Sequence, residues 1–211
     1  LTVLLVSFGY KFGVPADDMA FFARRLWQLM TSCPERTAAE YERISRALMR
    51  HAGPGLRHVW LSLAGTIAHE HAPKSVLQKK HPADRIVAFE SNFAGRTTTL
   101  AEVTDKAAYR NGLPLRGNVL LVPFYDAAHP DPIGHSLAAL DAHLGRHPKQ
   151  IATMVFELVQ GEGGIRTAPR EFFLALMQRC RAAGVAVWGA EVQTIARTGE
   201  LFAFRTLGLE E

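Results

Sequence analysis

Short uninterrupted apolar runs alternate along this chain with longer stretches in which apolar residues recur every three or four positions. The runs at 1–6, 58–63, 85–90, 118–122, 153–159 and 185–189 predict strands, most of them apolar enough to be buried on both faces. Met19, Phe22, Leu26 and Leu29 fall at helical spacing and predict a helix over 17–30, stopped by Pro34. Thr37 with Glu40 three residues on makes a capping box for a helix running to about Arg50, which Gly53-Pro54-Gly55 closes. Further helices are predicted over 68–80, with Pro73 at a kink or in the first turn, over 136–146, and over 169–183 with Gly184 at the C-cap position. Strand and helix therefore alternate from His58 onward. The fold class this implies is α/β, a mostly parallel sheet covered by helices, with ligands at the carboxyl ends of its strands.

Composition narrows the picture little. The 211 residues are 48% apolar and 21% charged, enough to bury a sizeable core. The formal charge is +4, and only Arg24-Arg25 and Lys79-Lys80 are adjacent basic pairs, so any nucleic-acid footprint is weak and nucleic acid is a poor candidate partner. Two distant cysteines, Cys33 and Cys180, do not make a disulfide framework and fit a reducing cytoplasm. No apolar run reaches the roughly 20 residues of a membrane helix, and residues 1–6 lack the basic lead and cleavage signal of a secretory peptide. His69-Glu70-His71 is a poor metal motif, because residues two apart on a helix point to different faces.

The chemistry lies in three motifs. Phe156-Glu157-Leu158-Val159-Gln160-Gly161-Glu162-Gly163-Gly164 is followed by Ala190-Glu191-Val192-Gln193-Thr194, and both are preceded by Phe93-Ala94-Gly95-Arg96-Thr97. Together they resemble the class III aminotransferases, which use pyridoxal phosphate (PLP) on the large domain of the fold-type I transferases. Ala64-Gly65-Thr66 and the following Ala68, Glu70, Ala72 and Lys74 extend the likeness. The resemblance implies that Gly65 and Thr66 cup the coenzyme phosphate and that Phe93 and Val192 cover the two ring faces. It also implies that Gln193 bonds the phenolic oxygen, that Ala190 lies at the ring nitrogen and that Glu157 lines the substrate side. The implied reaction moves an amino group between an amine or ω-amino acid and a 2-oxo acid, in a homodimer of the acetylornithine or lysine branch, with an exposed apolar surface on the monomer.

Departures cluster where the coenzyme would lie. Ala64, Ile67 and His69 replace polar residues usual in the family, and Ala190 replaces the Asp that would pair with the ring nitrogen. No lysine follows Lys149, so no residue of these 211 is assigned the Schiff-base role and no catalytic residue is named. The expectation is an incomplete large domain over 29–211, inactive by itself, or a non-catalytic relative that keeps the fold as a binding surface. Residues 1–28 read as an amino-terminal extension. Its Ser7-Phe8-Gly9-Tyr10-Lys11-Phe12-Gly13-Val14-Pro15 segment resembles the carboxy-terminal domain of the RNase-adapter family, which leaves an RNA-linked regulator as a third reading.

Overall fold

The structure, a computed structural model, describes residues 3–6, 34–53, 55–56, 58–62 and 64–210. The helix expected over 17–30 and the adapter-like segment beyond Val6 lie outside these residues. In chain order the elements are β1 (Val3–Val6), α1 (Pro34–Ala52), β2 (His58–Leu61), α2 (Gly65–Lys80) and β3 (Arg85–Phe89). Then come α3 (Leu100–Val103), α4 (Ala107–Arg110), β4 (Val119–Val122), α5 (Pro132–Arg146) and β5 (Ile151–Glu157). The rest are β6 (Val159–Gln160), β7 (Arg166–Thr167), α6 (Arg170–Ala182), β8 (Ala186–Ala190) and α7 (Ala203–Thr206).

Four strands form the central sheet in the order β4-β3-β5-β8, every pair parallel. All seven residues of β5 are buried, as its unbroken apolar run requires. The pleat sends alternate side chains to opposite faces. Val87, Phe89, Met154 and Phe156 meet Leu140 of α5 and Phe172, Phe173 and Leu176 of α6 in one core layer. Phe89 stands edge-on to Phe124 at 5.1 Å and stacks on Phe172 at 5.6 Å. Ile86, Ala88, Val155 and Trp188 face the other way, toward Ala72 and Leu77 of α2. A separate parallel pair, β1 with β2, lies in a two-stranded sheet, and α1 packs Leu48 and Ala52 against Phe202.

Several boundaries differ from the sequence expectation. α1 begins at Pro34 rather than after Thr37, since proline is readily accepted where a helix's first N–H groups have no intrahelical partner. Gly53, at φ +88°, ends it in the left-handed region that glycine adopts without penalty. α2 starts at Gly65 and carries Pro73 inside it, buried, where the ring leaves the carbonyl four residues back without its usual donor. α5 starts at Pro132, its N-cap Asp131 accepting from the Gly134 amide at 2.9 Å. The run read as one strand over 153–159 breaks at Leu158, and Val159–Gln160 pairs antiparallel with Arg166–Thr167.

The strand order points to a candidate site. The chain leaves β3 toward β4 on one side and leaves β5 toward β8 on the other. The loops following these two adjacent strands therefore diverge, opening a crevice at their carboxyl ends.

Candidate functional site

Glu157 ends β5 on the edge of that crevice and is 4% exposed, the one buried carboxylate among the described residues. Its Oε2 accepts from the Phe93 amide at 3.1 Å and its Oε1 from the Gly161 amide at 3.2 Å. Desolvation raises the carboxyl to about 7; the two amide bonds pull it down, and nearby Glu162 pushes it up. In the β5–β8 register Glu157 lies directly beside Ala190, so both side chains project from the same face of the sheet. Ala190 is buried, and its methyl group brings neither donor nor acceptor to that position.

Close contact between loops explains why glycine recurs here. A Cβ on Gly161 would lie 3.0 Å from Cγ and Cδ of Gln193, so the side chain of Gln193 rests on the turn after β5. A Cβ on Gly163 would come within 2.9 Å of the Ser91 carbonyl oxygen, which seats the same turn against the loop after β3. That loop meets α2 as closely. At Gly95, φ +143°, a Cβ would fall 2.8 Å from Cγ2 and 2.9 Å from Oγ1 of Thr66. Thus Thr66, Gly95, Phe93, Glu157, Gly161 and Gln193 form one connected chain of contacts around the crevice. Gly65 opens α2 behind Thr66, and the N-cap Ala64 makes no side-chain cap. Val192 lies half-buried in the turn after β8, its carbonyl accepting from Arg197 at 3.3 Å.

Three positioning interactions were not singled out from sequence. Thr104, fully buried, accepts through Oγ1 from the Ala94 and Gly95 amides at 2.9 and 3.1 Å and donates to the Gly95 carbonyl at 2.7 Å. His69 is buried on α2, edge-on to Trp188 at 5.0 Å. Burial holds its pKa below the usual histidine value, with the Ala94 bond opposing, so the neutral ring donates from Nδ1 to the Ala94 carbonyl at 2.7 Å. Glu191 turns away from the crevice to cap α7, accepting from the Ala203 and Phe204 amides at 3.1 and 2.9 Å and from the Thr194 hydroxyl. A buried threonine ten residues past a glycine-containing loop carries no local periodicity, which is why the pattern was silent on it.

Cys180 of α6 is a packing residue: it is fully buried beside Met154, and burial pushes its thiol up to about 12. Among the described residues no helix is long and apolar enough to cross a membrane.

Comparison with known proteins bears on the family and the fold. The family model for aminotransferase class-III matches residues 21–210. The chain is 32% identical over 214 residues to an acetylornithine aminotransferase of Vibrio vulnificus, covering 95% of this chain and 47% of that protein. It is 35% identical over 147 residues to acetylornithine aminotransferase 1 of Bradyrhizobium diazoefficiens, covering 68% and 32%. An amine transaminase of an uncultivated Pseudomonas species, solved in its PLP-bound internal aldimine form, superposes with a TM-score of 0.76 at 20% identity. That match covers 92% of this chain and 48% of that one, and at such identity it speaks to the fold alone. The chain spans less than half the length of each of these relatives.

Proposed function

The chain belongs to the class III aminotransferase family, and we propose that residues 29–211 form part of its coenzyme-binding large domain, holding PLP in the crevice beyond β3 and β5. The observation that carries this reading is the convergence of four segments on one crevice: the start of α2, the loop after β3, the end of β5 and the turn after β8. The chain's own residues fit the coenzyme unevenly. At the phosphate end the fit is good. A sixteen-residue helix starts there without a side-chain cap, leaving the amides of Gly65 and Thr66 for an anion that the helix dipole also favours. Phe93 and Val192 supply apolar surface for the ring, and Gln193 supplies an amide for its phenolic oxygen.

At the ring nitrogen the fit fails. Ala190 stands where a carboxylate would hold a proton on that nitrogen, and a buried methyl group holds none. When bound, PLP supplies an electron sink for bond breaking at a substrate's amine carbon, and this chain lacks the group that strengthens the sink. The proposal is therefore phosphate-led coenzyme binding in an aminotransferase lineage whose donors are amines or ω-amino acids and whose acceptors are 2-oxo acids. Glu157 lines the substrate side. A homodimer in the cytoplasm completes the reading. The Ala190 site also favours a second reading, a relative that binds the coenzyme or a partner without catalysing transfer.

Competition binding tests the first reading. Inorganic phosphate should displace PLP from the 211-residue chain almost as effectively as unlabelled PLP does. PLP binding at micromolar concentration that ignores millimolar phosphate would overturn the phosphate-led mode, and no binding of either would overturn the coenzyme reading itself.

A further inference from the structure

We propose that Glu157 is a positioning residue, an ionised clasp that fastens the loop after β3 to the turn after β5 across the crevice and lets go on protonation. The place of Phe93 over a coenzyme ring rests on the coenzyme reading above; the geometry of the clasp does not. Each carboxylate oxygen serves one loop: Oε2 takes the Phe93 amide and Oε1 takes the Gly161 amide. These loops belong to strands whose connections run in opposite directions, so no sheet ladder joins them. Among the described residues the crevice is also bridged by Gln160 Nε2 donating to the Glu90 carbonyl at 2.8 Å and by the half-exposed Lys106–Glu162 pair at 2.9 Å, which solvent screens.

A backbone amide only donates. Each bond here uses its own oxygen; a carboxylate presents both as strong acceptors, whereas in a carboxylic acid one becomes a hydroxyl, a donor and only a weak acceptor. Protonation turns one oxygen into a hydroxyl donor facing an N–H group, and one of the two fastenings is lost. Burial sets the switch near neutrality, the carboxyl being raised to about 7. The titratable and charged neighbours are few. Glu162 on the turn after β5 is paired with Lys106, and Asp105 beside the β3 loop with Arg110 at 2.6 Å. Neutral His69 and Glu70, which accepts from Thr97, face from α2. Glu191 after β8 is committed to α7, while Glu90 and Arg96 are exposed on the β3 loop.

Charge on a buried carboxyl costs the whole fold stability while it tightens this one clasp. Global and local readouts therefore move oppositely with pH, which a merely structural side chain would not produce. The test is hydrogen exchange at the Phe93 and Gly161 amides of the coenzyme-free 211-residue chain, expressed as protection relative to the unfolded chain. Protection at one of the two, at least, should rise roughly tenfold or more between about pH 6 and pH 8 in the wild type. In Glu157→Gln it should stay flat and low at one of the two, because an amide side chain also has a single acceptor oxygen. Glu157→Asp, shorter by one methylene, should lose one fastening at every pH. Flat protection in the wild type, or Glu157→Gln matching it at pH 8, would overturn the clasp. Because no coenzyme is present, a failure of the PLP-binding reading leaves this result to stand or fall separately.

Discussion

Replacing Glu157 by Gln removes the one buried carboxylate among the described residues at nearly constant volume. In the wild type the folded-state carboxyl sits at about 7 against an ordinary value of 4.5. The folded protein thus binds this proton more tightly than the unfolded chain does. Its contribution to stability is fully present below about 4.5 and is lost as pH rises through about 7. The rise from 4.5 to about 7, at roughly 1.4 kcal/mol for each unit of pH, corresponds to about 3.5 kcal/mol, most of it falling between pH 5 and pH 8. His69 works in the opposite sense, since its lowered pKa stabilises at high pH and destabilises as the solution becomes acid. Both proteins carry His69, so the difference between them isolates Glu157. The assay is urea unfolding of wild type and Glu157→Gln at several pH values across this window. The two should be nearly equal at the acid end, with the variant more stable by about 2–3 kcal/mol near pH 8, a midpoint shift of about 1 M urea. Stability curves that run parallel across the whole window would refute the reasoning.

Other outcomes follow from the same geometry. Ala190→Asp should tighten PLP binding about tenfold or more while leaving inorganic phosphate affinity unchanged, because only PLP has a ring nitrogen to pair; isothermal titration of both ligands decides it. Gly95→Ala should destabilise by about 2–3 kcal/mol in chemical unfolding, from a left-handed φ and contact with Thr66 and Leu100. Thr104→Val keeps the volume but strands the buried Ala94 and Gly95 amides, at a cost of about 2–4 kcal/mol in the same assay. Borohydride reduction of the chain with PLP should leave no coenzyme on any one defined lysine, and stoichiometric labelling of a single site by mass spectrometry would contradict this.

Much of the framework was legible because continuous apolar runs bounded by glycine or charge have few alternatives. β3, β4, β5 and β8 fall within a residue or two of expectation, and Gly184 takes its positive φ after α6 as foreseen. The crevice was marked in the sequence by its glycine-containing motifs: at Gly163 and Gly95 a Cβ would fall under 3.0 Å from neighbouring atoms, and at Gly161 it would crowd the side chain of Gln193. What the sequence hid were interactions made across the chain. Thr104 reaching back to Ala94 and Gly95, Glu191 capping α7 and the two-amide engagement of Glu157 depend on which loops meet. Short elements were also missed. α3, α4 and α7 span four residues each, too few for a helical period to register.

β8 has a further consequence. Among the described residues it closes the sheet and pairs on one side only, with β5, and its five residues, Ala186-Val187-Trp188-Gly189-Ala190, carry no charge and no proline. Val187 is 38% exposed. Natural sheets usually blunt such a margin with lysine, proline or a bulge, and this one has none of them, so its unpaired N–H and C=O groups form a template for a further strand. Self-association through this margin would grow with concentration, and a lysine at position 187 is the change that would keep preparations of the chain monodisperse.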